Sequence, residues 1–481
     1  MKKRILSLMM AGVMTASLTA CGGGGSAETT GGNSTGNPAG SSGTETSAVP
    51  AATGPEGQSG AVTELSFWHH MEGINAVALE EVCTNFNNTT GAEYGIRVTP
   101  SFQGTNTAEK LNTLAQAGDW KNFPNLCQVA SAGIPTISGY DLFVSVDAMY
   151  DKGEDVLLER DSIIANNART FTYKDELCAM PFSNSTILLY YNKDMFTAAG
   201  LDAEQPPATL AEMAAAIEKL TVKSGNEVET YGLNVEVKRY QLVNWVGGQG
   251  EYNFIGDNEG GRAGLMTKMT MGEDGSLMSY LDEWEKIIQT GGYKPVEDNI
   301  NEEFAMEINA MAIMSSARIA KVEGLVEDAF AWGTAPLPKV NAADQGGAAV
   351  GGSGVVMFDK GDEQAMKATW IFNQYLGGED AQYTFCTASG YIPMNKDLYE
   401  SDRMKAYLAE NDKMVAAVEQ LMASNPNVQE PFDIVTSEIN SIIDEEMLAF
   451  ARGERDKQNT HDNIISRCDA KLKEYADVNA E

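Results

Sequence analysis

The chain has 481 residues, with 34 Lys and Arg against 68 Asp and Glu, for a formal charge of −34. That balance argues against nucleic acid and anionic membrane surface as direct partners and suits solubility outside a cell. Beyond the first sixty positions about 420 residues remain, too many for one compact core and enough for two lobes, and no later apolar stretch is long enough for a membrane span.

In chain order, Lys2, Lys3 and Arg4 precede an apolar run from Ile5 to Ala20 that stops at Leu18-Thr19-Ala20-Cys21. A basic start, a short apolar stretch and small residues before a cut site predict a secretory signal over 1–21. Its last four residues resemble the lipobox of bacterial lipoproteins, which implies lipidation of Cys21, with two acyl chains giving stable anchoring. Residues 22–61 are dominated by Gly, Ser, Thr, Ala and Pro and contain no aromatic residue. Such a segment has too little apolar surface to offset the entropy of ordering it. As a flexible tether of about forty residues it reaches roughly 35 Å.

Folded sequence is expected from Val62. Val62–Trp68 reads as a strand, 72–89 as a helix closed by Gly91, and Gly95–Thr99 as a second strand. Asn106 with Glu109 predicts a cap before Leu111 and Leu114, and Gly118 ends that helix. Asn125–Ala130 reads as a third strand. Strand, helix, strand, helix, strand implies right-handed crossovers and a mainly parallel sheet. The same grammar returns with a strand at Ile187–Tyr191 and a Pro206-Pro207, Thr209 stop-and-cap before a helix over 210–220. Helices are expected again at 276–290, 363–377 and 432–452, with strand-like pieces and loops from Trp332 to Met357. The fold class is α/β, in two bodies.

Chemistry-bearing motifs are scarce. From Val62 onward the chain lacks G-x-S-x-G, G-x-x-x-x-G-K-[ST] and H-E-x-x-H, and the Gly346–Gly354 cluster lacks dinucleotide-binding spacing. With Cys21 lipidated, Cys83, Cys127, Cys178, Cys386 and Cys468 remain, an odd number without C-x-x-C spacing. The histidines are His69, His70 and His461, and adjacent strand residues point to opposite faces, so His69-His70 is not a ready ligand pair. No metal, cofactor or catalytic residue is expected. Carboxylates are too numerous for counting to exclude a glycosidase pair, which leaves a secreted carbohydrate-active enzyme as the alternative class.

What remains is a set of mostly uncharged polar and aromatic groups at strand ends and loops. These are His69 and Glu72, Asn106, Ser131, Asn184 and Ser185, Ser315 and Ser316, Gly351 and Gly352, and Tyr391. Ligands of open α/β sheets sit beyond the carboxyl ends of the strands. Hydroxyls, amides and free backbone N–H groups orient a polar ligand there, and a ring covers the apolar face of a sugar.

The motifs Phe67-Trp68-His69-His70-Met71-Glu72-Gly73, Pro181–Thr186, Tyr190-Tyr191-Asn192-Lys193-Asp194-Met195-Phe196, Ala199-Gly200-Leu201-Asp202, Ala310–Ser316 and Gly390-Tyr391-Ile392-Pro393 span Leu65 to Glu454. In these the chain resembles the extracellular solute-binding proteins of ABC importers for carbohydrates, including their glycerol-3-phosphate-binding branch. The resemblance implies a periplasmic-binding-protein-like fold, two α/β lobes closing by a hinge over a ligand in a central cleft, docking on a membrane permease and no covalent chemistry. It places the crossings near Pro181–Thr186, Thr334–Val340 and Gly377–Asp380, with 62–182 plus about 340–377 in one lobe and 183–339 plus about 378–481 in the other.

The resemblance also implies ligand contacts from Asn184, Ser185, Ser315, Ser316, Gly351, Gly352 and Tyr391. Elsewhere the pattern departs. Asn106 and Ser131 stand where a tyrosine and a glutamate are expected, Glu236 and Arg239 replace paired tryptophans, and an expected phosphate-binding arginine falls near uncharged Phe432. Arg239 could grip a phosphate, with Glu236 opposing it; Tyr240 and Trp245 complete the expected ligand set. The expected ligand is a neutral mono- or oligosaccharide, with glycerol-3-phosphate or a glycerophosphodiester as the alternative. The expected protein is a monomer held by a lipid anchor at the extracellular face of the cytoplasmic membrane of a Gram-positive cell.

Overall fold

A computed structural model describes residues 62–478, so the signal segment, Cys21 and the 22–61 tether lie outside the described residues. The first sheet starts with Thr63–His69, in which Leu65, Phe67 and His69 alternate inward. It runs parallel to Ile96–Phe102 over its whole length and to Leu126–Ala130 on its other side. Between them, the helix Gly73–Asn88 buries Ala78, Leu79, Val82, Cys83 and Phe86, a stripe of helical period. It ends at Asn88, before Gly91, and a short helix Thr90–Tyr94 intervenes. The helix Thr107–Gln116 is capped by Asn106, whose side chain accepts from the Glu109 N–H.

Three further strands complete this sheet in antiparallel pairings. Gly351–Phe358 pairs with Leu126–Ala130 and, on its other side, with Met180–Ser185 and Phe143–Val144. Only the N-terminal half of the sheet is therefore the parallel array that the local grammar predicts.

The second sheet is centred on Ile187–Asn192, antiparallel to both Met311–Ser315 and Trp332–Pro336, with Leu233–Asn234 and Tyr293–Lys294 beyond. Ile187, Leu189, Tyr191 and Ile313 pack into a core on one face, and Leu188, Tyr190, Ala312 and Met314 on the other. Burial on both faces explains why 187–191 is apolar without alternation. The helix Leu210–Leu220 starts at a complete Thr209/Glu212 capping box, and Ser276–Gln289 packs against it. The late helix begins at Thr436, not at 432, because Pro431, Phe432 and Asp433 are held by partners outside it. Among the described residues no helix is long and apolar enough to cross a membrane.

Thr186 alone separates a strand of the first sheet from one of the second. Residues 337–350 make the return passage. Gly377–Asp380 is not a passage: the helix Glu379–Ser389 packs on Gly73–Asn88 and places Ala381, Phe385 and Cys386 in the first core. The polypeptide reaches the second sheet only after Gly390, through the helix Asp412–Ala423 packed on Trp332–Pro336. One side chain clamps both earlier passages. The Gln420 amide donates to Thr186 Oγ1 (2.7 Å) and the Ile187 carbonyl (2.7 Å), and accepts from the Leu337 N–H (2.7 Å).

Gly352 sits at φ +111°, and a Cβ there would lie 1.9 Å from the Ser183 carbonyl oxygen. Gly352→Ala is therefore expected to destabilise the fold by more than about 2 kcal/mol, read as a lower urea midpoint. An unchanged midpoint would show that this pairing is not rigid.

Candidate functional site

The carboxyl ends of Thr63–His69, Leu126–Ala130 and Met180–Ser185 meet the start of Gly351–Phe358 at one edge of the first sheet. Register places Ser353 opposite both Ala130 and Ser183, Gly352 opposite Asn184, and Gly351 opposite Ser185. Asn184 is fully buried, yet neither its Oδ1 nor its Nδ2 has a hydrogen-bond partner in the protein. Leaving a buried amide unpaired costs about 1–3 kcal/mol per group, so this side chain is poised to receive a polar partner.

Other uncharged groups surround it. His70 Nε2 lies 3.1 Å from Ser353 Oγ, and Gln128 Nε2 donates to Ser183 Oγ at 3.0 Å while its Oε1 stays unpartnered. His69 and His70 also have unpartnered Nδ1 atoms. Burial lowers both imidazoles below their usual range, with His70 adding to the effect at His69, so both rings are neutral near pH 7. The Asn184 carbonyl accepts from the Ile392 N–H at 2.8 Å, which draws Tyr391 alongside. That half-buried ring stacks on Phe385, centroids 5.5 Å apart and planes 18° apart, and burial raises its phenol pKa. The edge thus offers amide, imidazole, hydroxyl and ring surface without formal charge.

The sequence-predicted residues divide. Asn184, Ser185, Gly351, Gly352 and Tyr391 come together here, and His69 and Ser131 stand at neighbouring strand ends. Tyr240 joins them from the second lobe: its hydroxyl donates to the Ala349 carbonyl at 3.4 Å and would sit 2.9 Å from a Cβ on Gly351. Glu72 and Asn106 are exposed at the starts of the helices Gly73–Asn88 and Thr107–Gln116. Ser316 is buried with its Oγ accepting from the Thr186 N–H at 3.2 Å, which holds the passage, while Ser315 Oγ accepts from the Ala317 N–H at 3.3 Å and caps the turn Ser316–Arg318.

Three expectations are corrected by packing. Arg239 is buried and donates to Asp433 Oδ2 (2.6 Å) and the Pro431 carbonyl (3.0 Å), which leaves it unable to reach a phosphate. Glu236, expected to oppose it, pairs with Lys238 at 3.1 Å. Trp245 is a core residue stacked on Tyr280, its indole N–H donating to the Pro338 carbonyl at 2.9 Å. It borders a cavity of about 320 Å³ behind the 337–350 passage, lined also by Gln420 and Ser424.

Sequence reasoning missed His70, Gln128, Ser183 and Ser353 as members of this edge. Ser183 lies inside the quoted Pro-Phe-Ser-Asn-Ser motif, and His70 follows His69, so both were within reach. Gln128 and Ser353 depend on which strands pair, and nothing local announces that. The five cysteines within the described residues are each free and buried.

Over residues 81–411 the sequence matches the family described as bacterial extracellular solute-binding protein. The chain belongs to that family. It is the family to which the motifs pointed, the solute-binding proteins of ABC importers. Similar family members include the sn-glycerol-3-phosphate-binding periplasmic protein UgpB of Agrobacterium fabrum, 23% identical over 86% of this chain and 94% of that protein. UgpB of Escherichia coli K12 is 25% identical over 87% and 94%. Among solved structures, MalE of Xanthomonas citri superposes with a TM-score of 0.70 at 20% identity, covering 87% of this chain and 100% of the other. UgpB of Mycobacterium tuberculosis in complex with glycerophosphocholine gives 0.67 at 19%, covering 88% and 100%. The cyclic α-maltosyl-1,6-maltose binding protein of Arthrobacter globiformis gives 0.69 at 18%, covering 86% and 100%. The fold is the periplasmic-binding-protein fold, with two α/β lobes.

Because Asp433 has no exposed side-chain surface, Arg239→Ala strands a buried carboxylate and is expected to cost about 3–5 kcal/mol in chemical denaturation. The double change Arg239→Met, Asp433→Leu should recover most of that loss. A single variant that folds normally and only loses ligand would place Arg239 in the site after all.

Proposed function

We propose that this chain is the lipid-anchored, extracellular ligand-capturing subunit of an ABC importer and that its ligand is a neutral mono- or oligosaccharide. The observation that carries the reading is Asn184, a buried amide with both polar atoms unpartnered at the convergence of four strand ends. Around it, Ser185, Gln128, His70 and Tyr391 supply donors, acceptors and a ring face without charge, a chemistry suited to sugar hydroxyls and C–H surfaces. Arg239, the nearby cation that could have gripped a phosphate, is consumed by Asp433. The names of the curated relatives favour glycerol-3-phosphate, and several solved structures with this fold are named for oligosaccharides, so the buried arginine is what tips the choice.

In this reading one lobe comprises 62–185 with 351–389, the other 187–336 with 402–478, and closure is a hinge motion driven by contacts that exist only when both lobes reach the ligand. The subunit binds a monomer's share of ligand, performs no covalent step, and hands its ligand to permease subunits. Lipidation of Cys21 on a tether of roughly 35 Å reach keeps it at a Gram-positive surface; Cys21→Ser should release it into the medium and abolish labelling by a fatty-acid probe.

Isothermal titration with neutral oligosaccharides and with sn-glycerol-3-phosphate tests the ligand class. Tight binding of the phosphate with no response to sugars would sink the carbohydrate reading. A sugar recovered chemically unchanged after long incubation is expected, whereas cleavage would make the chain an enzyme. Asn184→Ala and Tyr391→Ala are each expected to weaken sugar binding about tenfold or more, equivalent to about 1.4 kcal/mol. Unchanged affinity in both would remove this edge from the ligand site.

A further inference from the structure

Residues 256–270 leave the core of the second lobe and return to it. Ile255, Met266, Met269 and Met271 pack in that core, and Gly256 pairs with Met269 at the base of the excursion. The Asp257 carboxylate closes the neck, accepting from the Thr267 and Lys268 N–H groups at 2.7 and 3.2 Å. The tip is a left-handed turn, with φ of +53° at Asn258, +58° at Glu259, +64° at Gly260 and +84° at Gly261. Glycine adopts such angles freely. A glutamate does not, so at Glu259 the turn is strained and persists only because its surroundings hold it.

Those surroundings belong to the first lobe, whose core holds Ala168, Phe171 and Tyr173. Arg169 pairs with Glu259 at 2.6 Å, and its carbonyl accepts from Arg262 Nε at 3.1 Å. The Lys174 N–H donates to the Arg262 carbonyl at 2.7 Å, and Leu265 lies against the first core. Phe432, another residue of that core, donates its N–H to the Gly260 carbonyl at 2.9 Å. A Cβ on Gly261 would fall 2.1 Å from the Phe432 carbonyl oxygen, so the turn is seated without a gap. The ion pair is unequal: the Arg169 side chain is 18% exposed and that of Glu259 53%. Arg262 is buried with its guanidinium 3.9 Å from the centre of the Phe432 ring. Burial and the like charge of Arg169 both press that guanidinium below its usual range. Glu259 is thus the counter-charge at a seam where two arginines meet.

We propose that residues 256–265 form a latch between the lobes, in which the Glu259–Arg169 pair sets how far apart the lobes rest. A strained turn held by one partly screened ion pair and a few hydrogen bonds stands near the balance between docked and released. The two lobes come from the fold, so the inference is independent of the ligand class. The arrangement that the latch favours passes into ligand affinity as the fraction of chains already in the capturing arrangement.

The natural chain, Glu259→Gln, Arg169→Gln and the double variant are compared without ligand, by hydrogen exchange and by small-angle X-ray scattering. The Lys174 and Phe432 amides are expected to exchange about threefold faster or more in each single variant, with Ile187–Asn192 unchanged. The radius of gyration is expected to rise with them. The double variant should move no further than Glu259→Gln alone, because both changes remove the same pair. Faster exchange with an unchanged radius of gyration would make the contact local packing and overturn the latch. Unchanged exchange at Lys174 and Phe432 would overturn it too, as would a rise that extends to Ile187–Asn192, which would make the pair a general support of the fold. A double variant that moves further than either single would show the two side chains acting apart, and the pair would not be what holds the lobes.

Discussion

Met180–Ser185 runs antiparallel to the start of Gly351–Phe358, and both strands lead into the second lobe a short distance from that pairing. The segments that pass between the two sheets are also the ones that carry the polar edge. Thr186 is held by Ser316 on its amide and carbonyl, and by Gln420 on its hydroxyl, so the passage is tied on every side. Gly352 is required because the strands approach too closely for a Cβ. The register that sets Asn184 beside Gly352 cannot slip without moving every side chain on the edge.

That constraint explains how a strongly acidic chain presents a site of uncharged groups. Cations near the passage are used to close the structure. Arg239 neutralises buried Asp433, and Arg262 fills its donors with main-chain carbonyls of two segments while lying on Phe432. Each is worth more in such a role than on a surface, because a buried charge without a partner is so costly. What stands at the polar edge is then an amide, two imidazoles, hydroxyls and a ring.

Much of this was legible in advance, and the misreadings share a cause. The strand at Thr63–His69, the Asn106 and Thr209 caps and the helices at 210–220, 276–289 and 363–377 follow from short-range pattern, and the structure has them within a few residues. The late helix was placed four residues too early because Asp433 looks like a helix-start residue until its partner Arg239, far away in sequence, is known. Trp245 and Arg239 looked like ligand contacts for the same reason: an aromatic ring or a guanidinium reads as functional when its burial is unknown. Ser315 and Ser316 also look like ligand contacts from sequence, but their hydroxyls accept from backbone N–H groups.

By itself the sequence determined the α/β class, much of the order of elements and the family, since periodicity, caps and contiguous motifs are local properties. Tertiary structure alone decided that Gly351–Phe358 would join strands more than a hundred residues earlier and that Glu379–Ser389 would stay with the first core. It also decided which charges would cancel. Pairing across such separations depends on the free energy of burying whole faces together, and no window of sequence contains both sides of that contact.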